Sequence, residues 1–146
     1  MRRVLVISGP NLSRLGAREP DVYGSTTYTE LTDLIAGWAR DSGVAAEVRQ
    51  TDSEAELVSW LHEAADSGWD VIINPGAFTH YAYAMRDAAA EVRTAGGALI
   101  EVHLTNPATR ERFRHLSVIA GVATGTIAGF GVDSYRLALE ALAHPV

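Results

Sequence analysis

Two amino acids are missing from this sequence of 146 residues: it has no cysteine, and all twelve of its Lys and Arg residues are arginine. The absence of cysteine excludes disulfides, thiolate catalysis and cysteine-type zinc sites. The absence of lysine excludes a Schiff base on a lysine side chain and a Walker-type phosphate-binding lysine. Any carbonyl chemistry of this chain must therefore use acid–base steps on an enol or enolate.

Long apolar runs are also missing, and none approaches the length of a membrane span. The amino-terminal run Val4-Leu5-Val6-Ile7 is too short for a signal peptide, so we expect a cytoplasmic protein without a membrane partner. The five histidines lack metalloprotease spacing, and a net charge of −6 argues against nucleic-acid binding. The length and ordinary composition predict one domain spanning residues 1–146.

Apolar strand patterns alternate with amphipathic helix patterns along the chain. The uninterrupted runs Val4-Leu5-Val6-Ile7 and Val71-Ile72-Ile73 are typical of strands buried on both faces of a parallel sheet. Ser or Thr followed three residues later by Glu, at Thr27 and at Ser53, predicts two capping boxes that begin helices. Strands are predicted at residues 4–7, 44–49, 71–73, 98–104 and 125–129, and helices at 27–43, 53–68, 81–95 and 132–143.

This alternation predicts an α/β protein with helices on both faces of its sheet. We predict a flavodoxin-like three-layer sandwich with a five-stranded parallel sheet of order 2-1-3-4-5. Residues 8–26 contain several prolines and glycines and form too long a connection for an ordinary loop. We therefore expect a mobile lid in that segment.

Polar side chains follow strands 1, 3 and 4, which are adjacent in the predicted order. Ligands of open α/β sheets bind beyond the carboxyl ends of the strands, so these side chains are expected to share one crevice. Taken singly, Asn11 and Asn74 are also typical turn residues, and His80 is also a plausible helix cap. Asp87 is placed on the outer face of the third helix, where it has the alternative of pairing with a nearby arginine.

Glu101 and His103 lie two apart at the end of the fourth strand, which puts them on the same face of the sheet. Arg110, Arg112 and Arg114 follow in the next loop. A histidine beside a carboxylate, close to an arginine cluster, indicates acid–base chemistry on a carboxylated small molecule. A strand end followed by a solvated charged turn is the alternative interpretation.

Four stretches bear a specific likeness to one enzyme family: SGPNLSRLGAREPDVYG at residues 8–24, INPGAFTH at 73–80, EVHLTNPATRERFRH at 101–115 and GTIAGFG at 125–131. In these stretches the chain resembles the type II 3-dehydroquinate dehydratases. The resemblance implies reversible loss of water from 3-dehydroquinate to give 3-dehydroshikimate, without metal or cofactor. It also implies a homododecamer built as a tetramer of trimers. Both aromatic biosynthesis through the shikimate pathway and quinate catabolism use this step, and the sequence leaves that choice open.

The resemblance also assigns roles by matching position. It implies Tyr23 as general base, His103 as general acid, Arg18 as activator of Tyr23, Asn11 as holder of a water at the enolate, and Glu101 as the residue that orients His103. It implies substrate contacts for Asn74, His80, Asp87 (from a neighbouring subunit), Leu104, Thr105, Arg110 (also ordering the lid) and Arg114.

The sequence departs from the family pattern at Ser13, Thr105, Pro107 and Ser134, and Thr105 keeps the hydroxyl of the more usual serine. Two other classes of protein share the predicted fold. One is a non-catalytic module that binds FMN or an acidic metabolite, which leaves the Glu101–His103 pair unexplained. The other is a receiver-like signalling domain, which the lack of an acidic phosphoacceptor cluster after strand 1 argues against.

Overall fold

The structure, a computed structural model, describes residues 2–17 and 19–145. Its sheet contains β1 (Arg2–Ser8), β2 (Val44–Gln50), β3 (Asp70–Asn74), β4 (Leu99–His103) and β5 (Gly125–Ala128). All neighbouring strands are parallel, in the order β2-β1-β3-β4-β5. The predicted strand order is therefore confirmed.

Five α-helices accompany these strands in the described part of the chain. They are α1 (Pro20–Tyr23), α2 (Tyr28–Ser42), α3 (Glu54–Ser67), α4 (Tyr83–Thr94) and α5 (Asp133–Ala143). Helices α2 and α5 pack on one face of the sheet, and α3 and α4 pack on the other. The three-layer flavodoxin-like sandwich predicted from the sequence is confirmed.

The uninterrupted apolar strands are buried on both faces. In β1, Val4 and Val6 pack with α2 and α5, whereas Leu5 and Ile7 pack with α3 and α4. Since alternate residues of a strand point to opposite faces, a strand covered on both sides needs an apolar residue at every position. The lack of alternation in β1 and β3 therefore identifies the centre of the sheet.

The helix starts follow the sequence signals with two differences. Thr27 and Glu30 form the complete capping box, each satisfying a backbone N–H of the other. Ser53 accepts from the backbone N–H of Glu56, but its own N–H donates to the Thr51 hydroxyl, so the predicted second box is only half present. Helix α4 begins at Tyr83 rather than at residue 81, because Gly76–His80 forms a 3-10 turn first.

Two loops at the carboxyl end of the sheet pack backbone against backbone. The N–H of Gly9, after β1, donates to the carbonyl of Asn74, at the end of β3, over 2.8 Å. A Cβ at position 9 would lie 2.7 Å from the carbonyl oxygen of Pro75. Glycine is therefore required at position 9, and the close approach brings the ends of β1 and β3 to one site.

The predicted lid is partly packed. Leu12–Arg14 forms a 3-10 turn, and Leu12 and Leu15 are buried in the core. Helix α1, which ends at Tyr23, was not predicted, although Pro20 at its first position is a helix-start signal. No helix in residues 2–17 and 19–145 is both long and apolar enough to cross a membrane.

Candidate active site

A pocket opens at the carboxyl edge of the sheet, where β1, β3 and β4 end. Neighbouring strand ends come level there, because Ser8 pairs in register with Asn74 and Ile73 pairs with Glu101. The residues predicted for the site that line this pocket are Asn11, Tyr23, Asn74, His80, His103, Leu104, Thr105, Arg110 and Arg114.

Glu101 and His103 form a hydrogen-bonded pair beneath the pocket. The Nε2 atom of His103 lies 2.6 Å from Oε2 of Glu101, so the ring donates through Nε2 to a carboxylate. The predicted shared face of β4 produces this contact. His103 reaches the pocket, while Glu101 is completely buried behind it.

The carboxylate of Glu101 is held by hydroxyl groups as well as by the imidazole. Thr79 donates to Oε2 over 2.6 Å, and Ser117 donates to Oε1 over 2.8 Å. Burial acts to raise the pKa of Glu101. The hydrogen bond and the positive charge of His103 act in the opposite direction, as do the hydrogen bonds from Thr79 and Ser117, and together they lower the pKa. Glu101 is therefore an ionised partner for His103.

Tyr23 enters the pocket from the end of α1. The guanidinium carbon of Arg110 lies 5.0 Å from the centroid of its ring, in a cation–π contact. Arg110 also donates to the hydroxyl oxygen of Thr105 over 3.3 Å. Thr105 stands where the family pattern usually has serine, and its hydroxyl therefore has a partner. These contacts connect the segment after β1 to the loop after β4.

Asn11 and Asn74 are both turn residues and pocket residues. Asn11 has a positive φ of 69°, which a short polar side chain tolerates, and its N–H donates to the Asp52 carboxylate over 2.8 Å. The side-chain oxygen of Asn74 accepts from the N–H of Gly76 over 3.2 Å. Both asparagines therefore make their turn contacts and still line the pocket.

His80 and Arg114 form another wall. The alternative of His80 as a helix cap is wrong: Ala82 occupies that position, and Nδ1 of His80 donates to the carbonyl of Leu116 over 2.7 Å. Arg114 pairs with Glu111 over 3.1 Å and stacks on Phe113. Arg114 also borders the pocket, and a guanidinium is a group suited to binding a carboxylate.

Asp87 is not among the residues that line this pocket. Asp87 is exposed on α4 and pairs with the adjacent Arg86 over 3.2 Å, as its alternative interpretation expected. Arg18 lies outside the described residues.

Sequence reasoning missed Thr79, Ser117 and Asp52, which hold site residues without lining the pocket themselves. Thr79 lies in a stretch that carried the family likeness, next to His80, but nothing in the sequence pairs it with Glu101. Ser117 lies in a segment without strand or helix pattern. Such contacts join positions far apart in sequence, and no local pattern encodes them.

The pocket has the groups for proton transfer to a bound anion: a phenol, an imidazole on a carboxylate, and two guanidiniums. Among residues 2–17 and 19–145, no three His, Asp or Glu side chains gather in a group that could hold a metal ion.

The fold and the pocket define the class first: a flavodoxin-like α/β protein with its site beyond the carboxyl ends of the strands. The family follows from the sequence, because residues 2–143 match the model of the family described as dehydroquinase class II. The chain belongs to that family and is an enzyme of the hydro-lyase class. This membership argues against the non-catalytic module and the receiver domain.

Curated relatives and solved structures agree. The chain is 55% identical to the 3-dehydroquinate dehydratase of Salinispora tropica, over 97% of this chain and 96% of that protein. It is 56% identical to the 3-dehydroquinate dehydratase of Mycobacteroides abscessus, over 94% and 93%. The crystal structure of type II dehydroquinase from Propionibacterium acnes superimposes with a TM-score of 0.94 at 48% identity, covering 98% of this chain and 97% of that one.

Proposed function

We propose that this chain catalyses the reversible dehydration of 3-dehydroquinate to 3-dehydroshikimate through an enolate, without a Schiff base, metal or cofactor. The observation that carries the proposal is one pocket lined by Tyr23, His103, Arg110 and Arg114. Family membership and the names of the relatives support this substrate. The reaction belongs to the shikimate pathway, towards chorismate and the aromatic amino acids, and quinate catabolism uses the same step.

In the first step, Tyr23 removes the proton next to the substrate ketone. That proton is already activated by the carbonyl, so a phenolate is a sufficient base. Arg110 lies over the Tyr23 ring and helps to hold that ring at the pocket. We propose that Arg18 activates Tyr23, as the family likeness implies.

Removal of the proton places negative charge on the ketone oxygen. A hydrogen-bond donor aimed at that oxygen stabilises the enolate. We propose that Asn11 holds a water there, since its backbone is fixed by Asp52 and its side chain borders the pocket. The left-handed turn at Asn11 would then be part of the site rather than a loop detail.

In the second step, the hydroxyl leaves as water, and His103 supplies the proton. Because Nε2 is bound to Glu101, the donating atom is Nδ1 of the imidazolium. The Glu101 carboxylate stabilises the imidazolium and fixes the plane of the ring. The reverse reaction uses the same atoms with the proton movements reversed.

Substrate recognition divides between charge and hydrogen bonds. We propose that Arg114, Thr105 and the backbone at Leu104 hold the carboxylate, and that Asn74 and His80 bind the hydroxyl groups of the ring. Asp87, exposed on α4, would reach the pocket of a neighbouring subunit in a homododecamer arranged as a tetramer of trimers. We propose that the enzyme acts in the cytoplasm.

The decisive assay follows the ultraviolet absorbance of the conjugated enone product after addition of 3-dehydroquinate. We expect steady formation of the enone. Treatment with borohydride in the presence of substrate should not inactivate the enzyme, because the chain has no lysine to form an imine. No enone from the folded protein, or substrate covalently trapped by borohydride, would contradict the proposal.

A further inference from the structure

Glu101 receives hydrogen bonds from three different segments of the chain. His103 donates from β4, Thr79 from the 3-10 turn after β3, and Ser117 from the segment after the arginine loop. All three donor–acceptor distances lie between 2.6 and 2.8 Å. A carboxylate offers about four acceptor positions, so this buried group is nearly saturated with donors.

The hydroxyls of Thr79 and Ser117 favour the ionised state of Glu101. The hydroxyl oxygens of Thr79 and Ser117 are only 3.0 Å apart, and each has one hydrogen. When both hydrogens point at Glu101, all three donors are used and the carboxylate accepts each one. If the Nε2 proton of His103 moved to Glu101, the same three hydrogens would remain, but Thr79 and Ser117 would then donate to a neutral carboxyl, which accepts hydrogen bonds more weakly than a carboxylate.

Backbone contacts hold the two hydroxyls where they are. The N–H of Val118 donates to the carbonyl of Thr79 over 2.7 Å, which joins the two segments directly. The Ser117 hydroxyl oxygen accepts from the N–H of Ala120 over 2.9 Å, which leaves its hydrogen for Glu101. The backbone therefore fixes both hydroxyls beside the carboxylate.

We propose that Thr79 and Ser117 are positioning residues for the dehydration: their hydroxyls keep Glu101 ionised, so that the mobile proton of the pair resides on His103. This inference rests on the proposed role of His103 as the acid. Without the hydroxyls, the proton of the pair would move towards the carboxyl, and His103 would be a poorer donor to the leaving hydroxyl.

Other titratable groups lie near the pair. His80 lies in the same 3-10 turn as Thr79, and Arg114 and His115 come just before Ser117 in the chain; all three border the cavity beside Glu101 and His103. The neighbouring strands contribute uncharged residues opposite Glu101, namely Ile73 of β3 and Thr126 of β5. None of the three charged or titratable groups donates to the Glu101 carboxylate, so the test must isolate the hydroxyls.

Paired substitutions separate the hydroxyl from the shape of the side chain. Thr79→Val keeps the shape of a fully packed residue and removes the donor, whereas Thr79→Ser keeps the donor and removes a methyl group. Ser117→Ala removes the second donor at a less buried position, which provides a test even if Thr79→Val fails to fold. Ser59→Ala, on the exposed face of α3, is the matched control.

The test is an infrared titration of the free enzyme, following the C=O stretch that appears when Glu101 takes up a proton, identified by its loss in Glu101→Gln. We expect the band to appear about one to two pH units higher in Thr79→Val and Ser117→Ala than in the wild type. Thr79→Ser and Ser59→Ala should titrate like the wild type. In parallel, kcat should fall about tenfold or more in the first two variants with little change in KM.

An unchanged band position in folded Thr79→Val and Ser117→Ala would overturn the inference, as would a shift in Thr79→Ser equal to that in Thr79→Val. The infrared measurement needs no turnover. A wild type that fails to dehydrate 3-dehydroquinate would therefore count against the proposed function, while the band position would still decide the role of the hydroxyls.

Discussion

Arg110 covers the ring of Tyr23, with its guanidinium carbon 5.0 Å from the ring centroid. The same side chain donates to Thr105 and lies within 3.8 Å of Glu111. One arginine thus connects the lid residue proposed as the base to the loop proposed to hold the substrate carboxylate. The relationship makes Arg110 part of the arrangement of the base as well as of the binding site.

Arg110→Ala should lower kcat/KM by a factor of roughly 3 to 30, the range expected for loss of a partly buried cation–π contact. The loss should appear in kcat as well as in KM, because Tyr23 would no longer be held over the substrate. Arg112→Ala is the matched control, since Arg112 is exposed in the same loop and does not line the pocket. Equal effects of the two substitutions would contradict this role.

Tyr23→Phe should reduce turnover by about 10² to 10⁴, the usual contribution of a positioned base, while leaving the fold intact. Calorimetric binding of a non-reactive carboxylated analogue should change little, because the guanidiniums that hold the carboxylate remain. Tyr83→Phe, on an exposed side chain of α4, should match the wild type in both measurements. Turnover of Tyr23→Phe near the wild-type rate would remove Tyr23 as the base.

Tyr135 links stability to alkaline pH. Burial raises the pKa of this tyrosine to about 12, with partial offset by hydrogen bonds to Ser8 and Asn74. The pKa of Tyr135 in the folded protein lies above its value near 10 in the unfolded chain. The folded state is therefore favoured by the protonated phenol, and this contribution to stability is complete below pH 10 and is lost as the pH rises towards 12. The loss is roughly 3 kcal/mol in the free energy of unfolding once the pH passes 12.

Tyr135→Phe removes the group that titrates, so its unfolding free energy should depend less on pH in that window than the wild type's. At neutral pH it should be less stable by about 1 kcal/mol, since Ser8 loses its 3.0 Å hydroxyl partner. Tyr81→Phe, which is 56% exposed, should keep the wild-type pH dependence. Denaturant unfolding at a series of pH values makes the comparison, and parallel curves for wild type and Tyr135→Phe would refute it.

Gly9→Ala should cost about 1 to 3 kcal/mol of stability, because the new Cβ would press on the carbonyl of Pro75. The displaced backbone carries Asn11 on one side and Asn74 on the other, so activity should fall with stability. Gly121→Ala meets open space and should stay within about 0.5 kcal/mol of the wild type in thermal unfolding. A Gly9→Ala variant as stable as Gly121→Ala would show that the loops can separate freely.

The sheet could be predicted from the sequence because its signals are local. Uninterrupted apolar runs identified β1 and β3 as central strands, and Thr27 marked the start of α2 through its capping box. The shared face of Glu101 and His103 followed from the period of a strand. Each of these features depends on residues only a few positions apart.

What the sequence did not predict depends on contacts between distant segments. The N–H of Ser53 donates to the hydroxyl oxygen of Thr51, because β2 is followed almost directly by α3. A capping pattern in the sequence does not predict this contact. Thr79 and Ser117 come together only because their segments pair through a backbone hydrogen bond. The role proposed for Asp87 involves a second subunit, so it stays a prediction.

The most direct test of the central claim is a crystal structure of the protein with a non-reactive carboxylated analogue of 3-dehydroquinate. We predict that the ligand carboxylate lies at Arg114 and Thr105, with the Tyr23 hydroxyl and Nδ1 of His103 contacting the ring from opposite sides. A ligand that binds the pocket while touching neither ring, or that binds elsewhere on the molecule, would contradict it.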